Sequence, residues 1–261
     1  MGDYTTNLNL YKPADQETGW STLVNGNFDT IDTLYRTGTI WSPDANPASP
    51  SVYDDEFDDS SFDSGKWTEF DVSTSLTVSE HNYGLVLTPG TSLDVQGIFQ
   101  EVPAGENWSI MTKISWIHPQ VDDQKAGLFL LEDKTNLSTS KVVVWAHYRG
   151  SAGMGLQAEE MSDYNSWSET ILNFASDLMV TSYYLRIRAT GGNLYFDYST
   201  DGLGWMGKST DSRYFTPQAF GIFVRAGEIA TKPVFSFFRY VPTYAVTDVL
   251  LGDRVNIYKS V

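Results

Sequence analysis

The chain of 261 residues carries 17 basic against 33 acidic residues, a formal net charge of −16, and no cysteine. That balance argues against a nucleic-acid or anionic-membrane partner, and the missing cysteines exclude a disulfide framework, a thiolate metal site and a cysteine nucleophile. No apolar run approaches the roughly twenty residues of a membrane helix and no basic-then-apolar leader opens the chain, so membrane residence and export by the usual signal route are not expected.

Residues 1–41 read as an attachment segment with one helix. Trp20, Leu23, Val24, Phe28, Ile31, Leu34 and Tyr35 recur at three- and four-residue intervals and predict a single apolar stripe. Thr18 can cap the start of this helix and Gly38 can close its end. A helix of about four turns is marginal in water by itself, so its stripe needs a partner: its own β domain, copies of itself, or a larger assembly. Residues 42–51, SPDANPASPS, form a linker in which Pro43, Pro47 and Pro50 resist regular structure.

From residue 52 to 242 short β-favouring runs alternate with turn signals. The predicted strands are Leu76–Val78, Gly84–Leu87, Ile98–Glu101, Trp108–Ile117, Ala126–Leu131, Val142–Tyr148, Met154–Glu159, Tyr183–Ala189, Leu194–Ser199, Ala219–Arg225 and Val234–Tyr240. Gly191-Gly192-Asn193 predicts a tight hairpin and Asp201-Gly202 a second turn. Ser166–Leu178 is expected to be a turn of helix or a long loop. Strands at this spacing predict an all-β sandwich or barrel rather than parallel α/β units. In the tail, residues 243–261, the alternation of Arg254-Val255-Asn256-Ile257-Tyr258 marks a candidate interface strand, because an open strand edge needs covering.

Two resemblances cover different parts. Residues 4–35, YTTNLNLYKPADQETGWSTLVNGNFDTIDTLY, resemble the opening segment of many tailed-phage virion proteins, in which N-L-x-L-x-K-P leads to G-W-x-x-x-V-N-x-N-F-D-x-I-D. The resemblance implies attachment to other virion proteins and often trimerisation. Residues 53–242 resemble concanavalin A-like sandwiches of the laminin-G and glucanase-accessory kind. The residues that carry it are YDDEFDDSSFDSGKW (53–67), AGLFLLED (126–133), LRIRATGGNLYFDYSTDGLGW (185–205) and AFGIFVRAG (219–227). This implies a jelly-roll β-sandwich, a fold that hosts lectins, hydrolases and structural modules alike.

Hydrolases of this fold often carry an E-x-D-x-x-E strand whose alternation points the acids into one cleft. Glu69-Phe70-Asp71-Val72-Ser73-Thr74 ends in threonine where the third acid belongs, and Glu159-Glu160 and Glu132-Asp133 are adjacent pairs rather than dyads. No catalytic residue is assigned. His81, His118 and His147 have no metal-ligand spacing, and no G-x-S-x-G elbow accompanies them. Trp116-Ile117-His118 and Trp145-Ala146-His147 each put an indole and an imidazole on one strand face. Such a pair either stacks on and hydrogen-bonds a sugar or fills the inter-sheet core. Tyr148, Tyr164, Trp167, Trp205 and Tyr214 form a second set of loop aromatics. The acidic run containing Asp54, Asp55 and Asp58 has oxygen ligands that suit calcium but lacks a regular D-x-D-x-D-G loop, so a solvated acidic surface is the competing reading.

These readings lead to one expectation: a homo-oligomeric virion-surface protein, made in a host cytoplasm and released in particles, displaying a lectin-like sandwich toward glycans. The alternatives are a decoration or tail-assembly protein without a ligand, and a glycan depolymerase.

Overall fold

The structure, a computed structural model, describes residues 3–4, 11–12, 51–90, 93–105, 107–116, 123–150, 153–175, 181–212, 214–225 and 231–242. The chain divides into two compact units, Met1–Pro50 and Ser51–Val261. In the first, β1 (Asp3–Tyr4) pairs antiparallel with β2 (Tyr11–Lys12), Tyr4 opposite Tyr11. The predicted helix with its stripe, most of the linker and the tail lie outside the described residues.

In the second unit the strands are β3 (Thr68–Phe70), β4 (Thr77–His81), β5 (Gly84–Thr88), β6 (Val95–Glu101), β7 (Trp108–Ser115), β8 (Lys125–Leu131) and β9 (Val142–Gly150). They continue as β10 (Gly153–Met161), β11 (Trp167–Ala175), β12 (Ser182–Thr190), β13 (Asn193–Ser199), β14 (Met206–Ser212), β15 (Ala219–Arg225) and β16 (Val234–Pro242). They build two 7-stranded antiparallel sheets, ordered β11-β10-β9-β8-β15-β6-β3 and β14-β13-β12-β7-β16-β5-β4. Gly191 and Gly192 adopt φ of 57° and 84° in the β12–β13 turn, where a side chain would be strained.

Each predicted run is a strand. Among the described strands of this unit β3, β11 and β14 were not foreseen, and Ser166–Leu178 required correction: its first part is β11 rather than helix or loop. Register shifts lie between Ala158 and Glu159 and between Glu160 and Met161 where β10 meets β11. Such bulges break the two-residue alternation, which is why Trp167, Ile171 and Leu172 read as aperiodic. Edge strand β14, with the sequence MGKSTDS, has one β-branched residue, Thr210, and no aromatic one, too little to betray a strand.

The main core fills the space between the sheets, with Trp67, Trp108, Trp116, Trp145, Phe196, Phe220 and Phe238 among its buried members. The outer face of the first sheet carries a second apolar cluster, including Phe70, Phe99, Phe129, Val144 and Phe223. Glycine makes this face close-packed: Phe129 and Phe99 flank Gly221 in one cross-strand row, and a Cβ on Gly221 would lie 2.8 Å from Phe129 Cε1.

The segment before β3 seams the two sheets together. Asp55 bridges to Phe238 on β16 through paired backbone bonds of 2.9 and 2.7 Å. Its Oδ2 also accepts 2.7 Å from Trp67 Nε1 beside β3. The acid and indole of YDDEFDDSSFDSGKW therefore fasten opposite sheets.

Candidate functional site

The sequence candidates do not converge. Trp116, Trp145 and His147 are only 1%, 0% and 1% exposed, so these residues are corrected from ligand candidates to core. Both indoles face between the sheets, where Trp116 Nε1 donates to the Thr231 carbonyl at 2.9 Å and Trp145 Nε1 to the Asp197 carbonyl at 2.8 Å. The His147 ring lies 4.9 Å from that of Tyr183 and 6.2 Å, edge-on, from that of Trp116. Burial between two hydrogen-bonded sheets is what keeps a sugar away from them. His118 lies outside the described residues.

The loop aromatics are also dispersed. Tyr148 projects to the other face of β9 from His147 and is buried. Tyr164, in the β10–β11 turn, packs on the second apolar cluster, and its carbonyl accepts 2.9 Å from Val95 N–H, four strands away in the sheet. Trp205 lies over the Arg186 guanidinium at 4.2 Å, and Arg186 in turn pairs with Asp197 at 2.9 Å. These two are thereby corrected to packing roles. Tyr214 packs beside Phe215 against the main core. Trp167 is 57% exposed on edge strand β11, with its Nε1 donating to Thr170 Oγ1 at 3.2 Å. It stays open to a partner, but as a lone indole.

The calcium reading is corrected as well. Asp54 accepts from Tyr240 N and Ser51 N, and Asp55 from Phe57 N and Trp67 Nε1, so these carboxylates are held in place by protein donors. Burial raises the Asp54 carboxyl above its ordinary value, against the pull of those donors. Asp58 is exposed, and among the described residues no group of three acids or histidines is placed to hold a metal ion.

Potential catalytic acids fare similarly. Asp71 accepts from Leu76 N and Gln96 Nε2, both at 2.7 Å, and knots a turn together. Glu159 sits on the outer face of its sheet, bound to Lys125 Nζ at 2.5 Å, while Glu160 takes the opposite face as alternation requires. Burial, foremost, and then the charges of Asp211 and Glu169 push Glu160 up to about 7.

A depression of about 660 Å³ opens where β3 and β6 meet the seam segment, lined by Val52, Tyr53, Asp63, Lys66, Gln100 and Glu101, with Gly65 and Thr68. Its size is that of a small-ligand site, usually several hundred Å³. The Tyr53 ring is held by Tyr240 at 5.0 Å and Phe220 at 6.1 Å. Gln100 Nε2 donates to the Tyr53 carbonyl at 2.9 Å. Asp63 Oδ1 accepts from Gly65 N at 2.9 Å and Lys66 N at 3.2 Å, shaping the turn. Lys66 Nζ donates to the Asp54 carbonyl and lies 3.6 Å from Asp55 Oδ2, and Glu101 pairs with Lys134. The floor is thus pre-formed by hydrogen bonds within the protein. Of these residues only Asp63, the last acid of the run read for calcium, stood out as a ligand in the sequence. The available signal was the Asp63-Ser64-Gly65 turn inside the stretch that carried the fold resemblance.

This second unit is an all-β, two-sheet antiparallel sandwich that resembles the concanavalin A-like lectin domains. Among solved structures it is similar to the GH43 protein BlXynB from Bacillus licheniformis, with 15% identity over 77% of this chain and 41% of that one, at a TM-score of 0.57. A xylan β-1,4-xylosidase from Bacillus halodurans C-125 is similar at 16% identity, covering 75% of this chain and 40% of that one, at 0.53. The exoplasmic/lumenal domain of VIP36, in a Ca²⁺/Man3GlcNAc-bound form, matches at 9% identity over 74% of this chain and 89% of that one, at 0.54. The chain therefore spans about two fifths of the length of the two bacterial proteins and most of the VIP36 domain. Comparison with family models and with curated proteins gives no match. At these identities the likeness is one of fold.

Proposed function

We propose that this chain is a displayed virion protein whose lectin-like sandwich adheres to glycans through the depression beside β3 and β6. The observation that carries the reading is that depression: a pre-formed, polar opening on a lectin-like fold, with an aromatic residue in its wall. The virion assignment is supported by the resemblance of residues 4–35 to phage attachment segments. In this reading the apolar stripe of that segment seats the chain in a homo-oligomer or on other virion proteins, and several copies turn weak sugar contacts into avidity.

Binding without turnover is the proposed activity. The test is a glycan panel probed with the full chain and with Thr68→Trp, which places an indole in the depression from an exposed strand position. Loss of binding by at least tenfold in a variant that melts like the parent supports the site. Undiminished binding refutes it, and cleavage of a bound polysaccharide would make the protein a depolymerase instead. The attachment half is tested by changing Leu23, Phe28 and Ile31 to Asp. Oligomerisation or particle incorporation should disappear while the sandwich stays folded, and unchanged incorporation would overturn that assignment.

A further inference from the structure

We infer that, whatever ligand the depression takes, the chain's own tail closes the sandwich: residues 254–258, Arg254-Val255-Asn256-Ile257-Tyr258, add as a strand to the free edge of β11 and set Arg254 between Glu169 and Asp211. Three features of the structure point there.

The first is the edge. Among the described residues β11 pairs with β10 alone, so the backbone groups on its other flank have no strand to meet. It is nine residues long and carries one charge, the kind of edge that proteins cover.

The second is a surplus of acid beside that edge. Alternation turns Glu160 on β10, Glu169 directly opposite it on β11, and Asp211, opposite Leu194 on β14, toward the space between the sheets. Glu160 is 8% exposed and makes no hydrogen bond or ion pair with any described residue. The cation whose charge reaches it, Lys141, is bonded to Glu132 at 3.3 Å instead. Like charges directly opposed across a strand pair are destabilising, and a guanidinium beside them reverses the sign.

The third is reach. Pro242, where β16 ends, stands in one cross-strand row with Trp108, Ala189, Leu194 and Asp211. Four strand spacings make that row about 19 Å, and the step to the other sheet adds about 10 Å. Residues 243–253 span up to about 36 Å when extended, enough to bring Arg254 to Glu169. From there the tail runs parallel to β11, since the opposite course would carry it past the start of that strand at Trp167. In this register Val255 lies beside Thr170. Val255 and Ile257 take the outer face of the sheet, and Arg254 and Asn256 the inner one.

The parent has no cysteine, so a pair can be introduced alone into the full chain. Thr170→Cys with Val255→Cys should oxidise to an intrachain disulfide at least tenfold faster than Thr170→Cys with Asn256→Cys, because only the first pair shares a face at the spacing a disulfide needs. Equal rates, or no disulfide, overturn the inference. So does a disulfide-linked dimer, which would make the tail of a second copy the partner. Hydrogen exchange of residues 167–172 in the full chain reads the charge. Arg254→Glu should speed it at least tenfold, whereas Lys259→Glu, which changes the net charge equally from beyond the strand, should speed it less than threefold. Equal effects of the two variants, or exchange unchanged by both, also overturn the inference.

Discussion

Replacing Trp145 by Phe separates a core indole from a sugar-binding one. Trp145 is fully buried, its ring 5.8 Å from that of Phe196, and its Nε1 donates to the Asp197 carbonyl at 2.8 Å. Phe keeps the aromatic packing but removes the donor and part of the volume. An unsatisfied buried carbonyl costs about 1–3 kcal/mol, and a residual cavity of a few tens of Å³ adds ~1 kcal/mol at about 24 cal/mol per Å³. The sum is about 3 kcal/mol, which for a domain of this size lowers the melting temperature by roughly 6–12 °C. Urea unfolding followed by circular dichroism, rather than by fluorescence that the substitution itself alters, reads the change. Glycan affinity of the still-folded variant should equal that of the parent. Stability within about 0.5 kcal/mol of the parent, the range of an ordinary surface change, together with weakened glycan binding, would refute the placement of this indole in the core.

Gly221→Ala should destabilise by about 3 kcal/mol or more, because the new Cβ would lie 1.9 Å from the Ile98 carbonyl oxygen and only backbone movement can relieve that. Gly204→Ala, whose nearest neighbour would be 3.8 Å away, should be nearly neutral in the same urea titration. Trp167→Ala should leave the unfolding midpoint within about 0.5 kcal/mol, since its indole is largely exposed; a larger loss would mean that the ring packs. Stability should also depend on pH through two acids. Burial, the hydrogen bond that protonated Glu80 donates to Asp59 and that residue's charge raise Glu80 from 4.5 to about 7, and Glu160 reaches about 7 by burial and its acidic neighbours. For both, the fold holds the proton more tightly than the unfolded chain does. Their contribution is therefore complete below about pH 4.5 and is lost as pH rises to about 7. Glu80→Gln and Glu160→Gln should each gain on the parent between pH 4.5 and 8, by about 1 kcal/mol because solvent screens much of the shift. Parallel pH profiles of variant and parent would contradict this.

Much of the sandwich was legible because its signals are local. Ala126–Leu131 or Ala219–Arg225 announces a strand through its own β-favouring residues, and Gly191-Gly192 announces a turn through the φ values it must adopt. β11 escaped because bulges in its pairing with β10 break the alternation, and β14 because its residues are polar. The ligand candidates misled for another reason. An indole and an imidazole two residues apart share a strand face, but nothing in Trp145-Ala146-His147 says whether that face looks outward or between the sheets.

The sequence by itself determined the all-β character, most strand positions and the acidic field, since each depends on neighbours in the chain or on composition. Tertiary structure alone decided which face of each strand is covered and where the opening lies. Tyr53 and Gln100, which join across it, stand 47 residues apart, and Arg239 meets Glu56 across 183. Such pairs are brought together by strand order and by the Asp55–Trp67 seam, and side-chain alternation within one strand carries no record of that pairing.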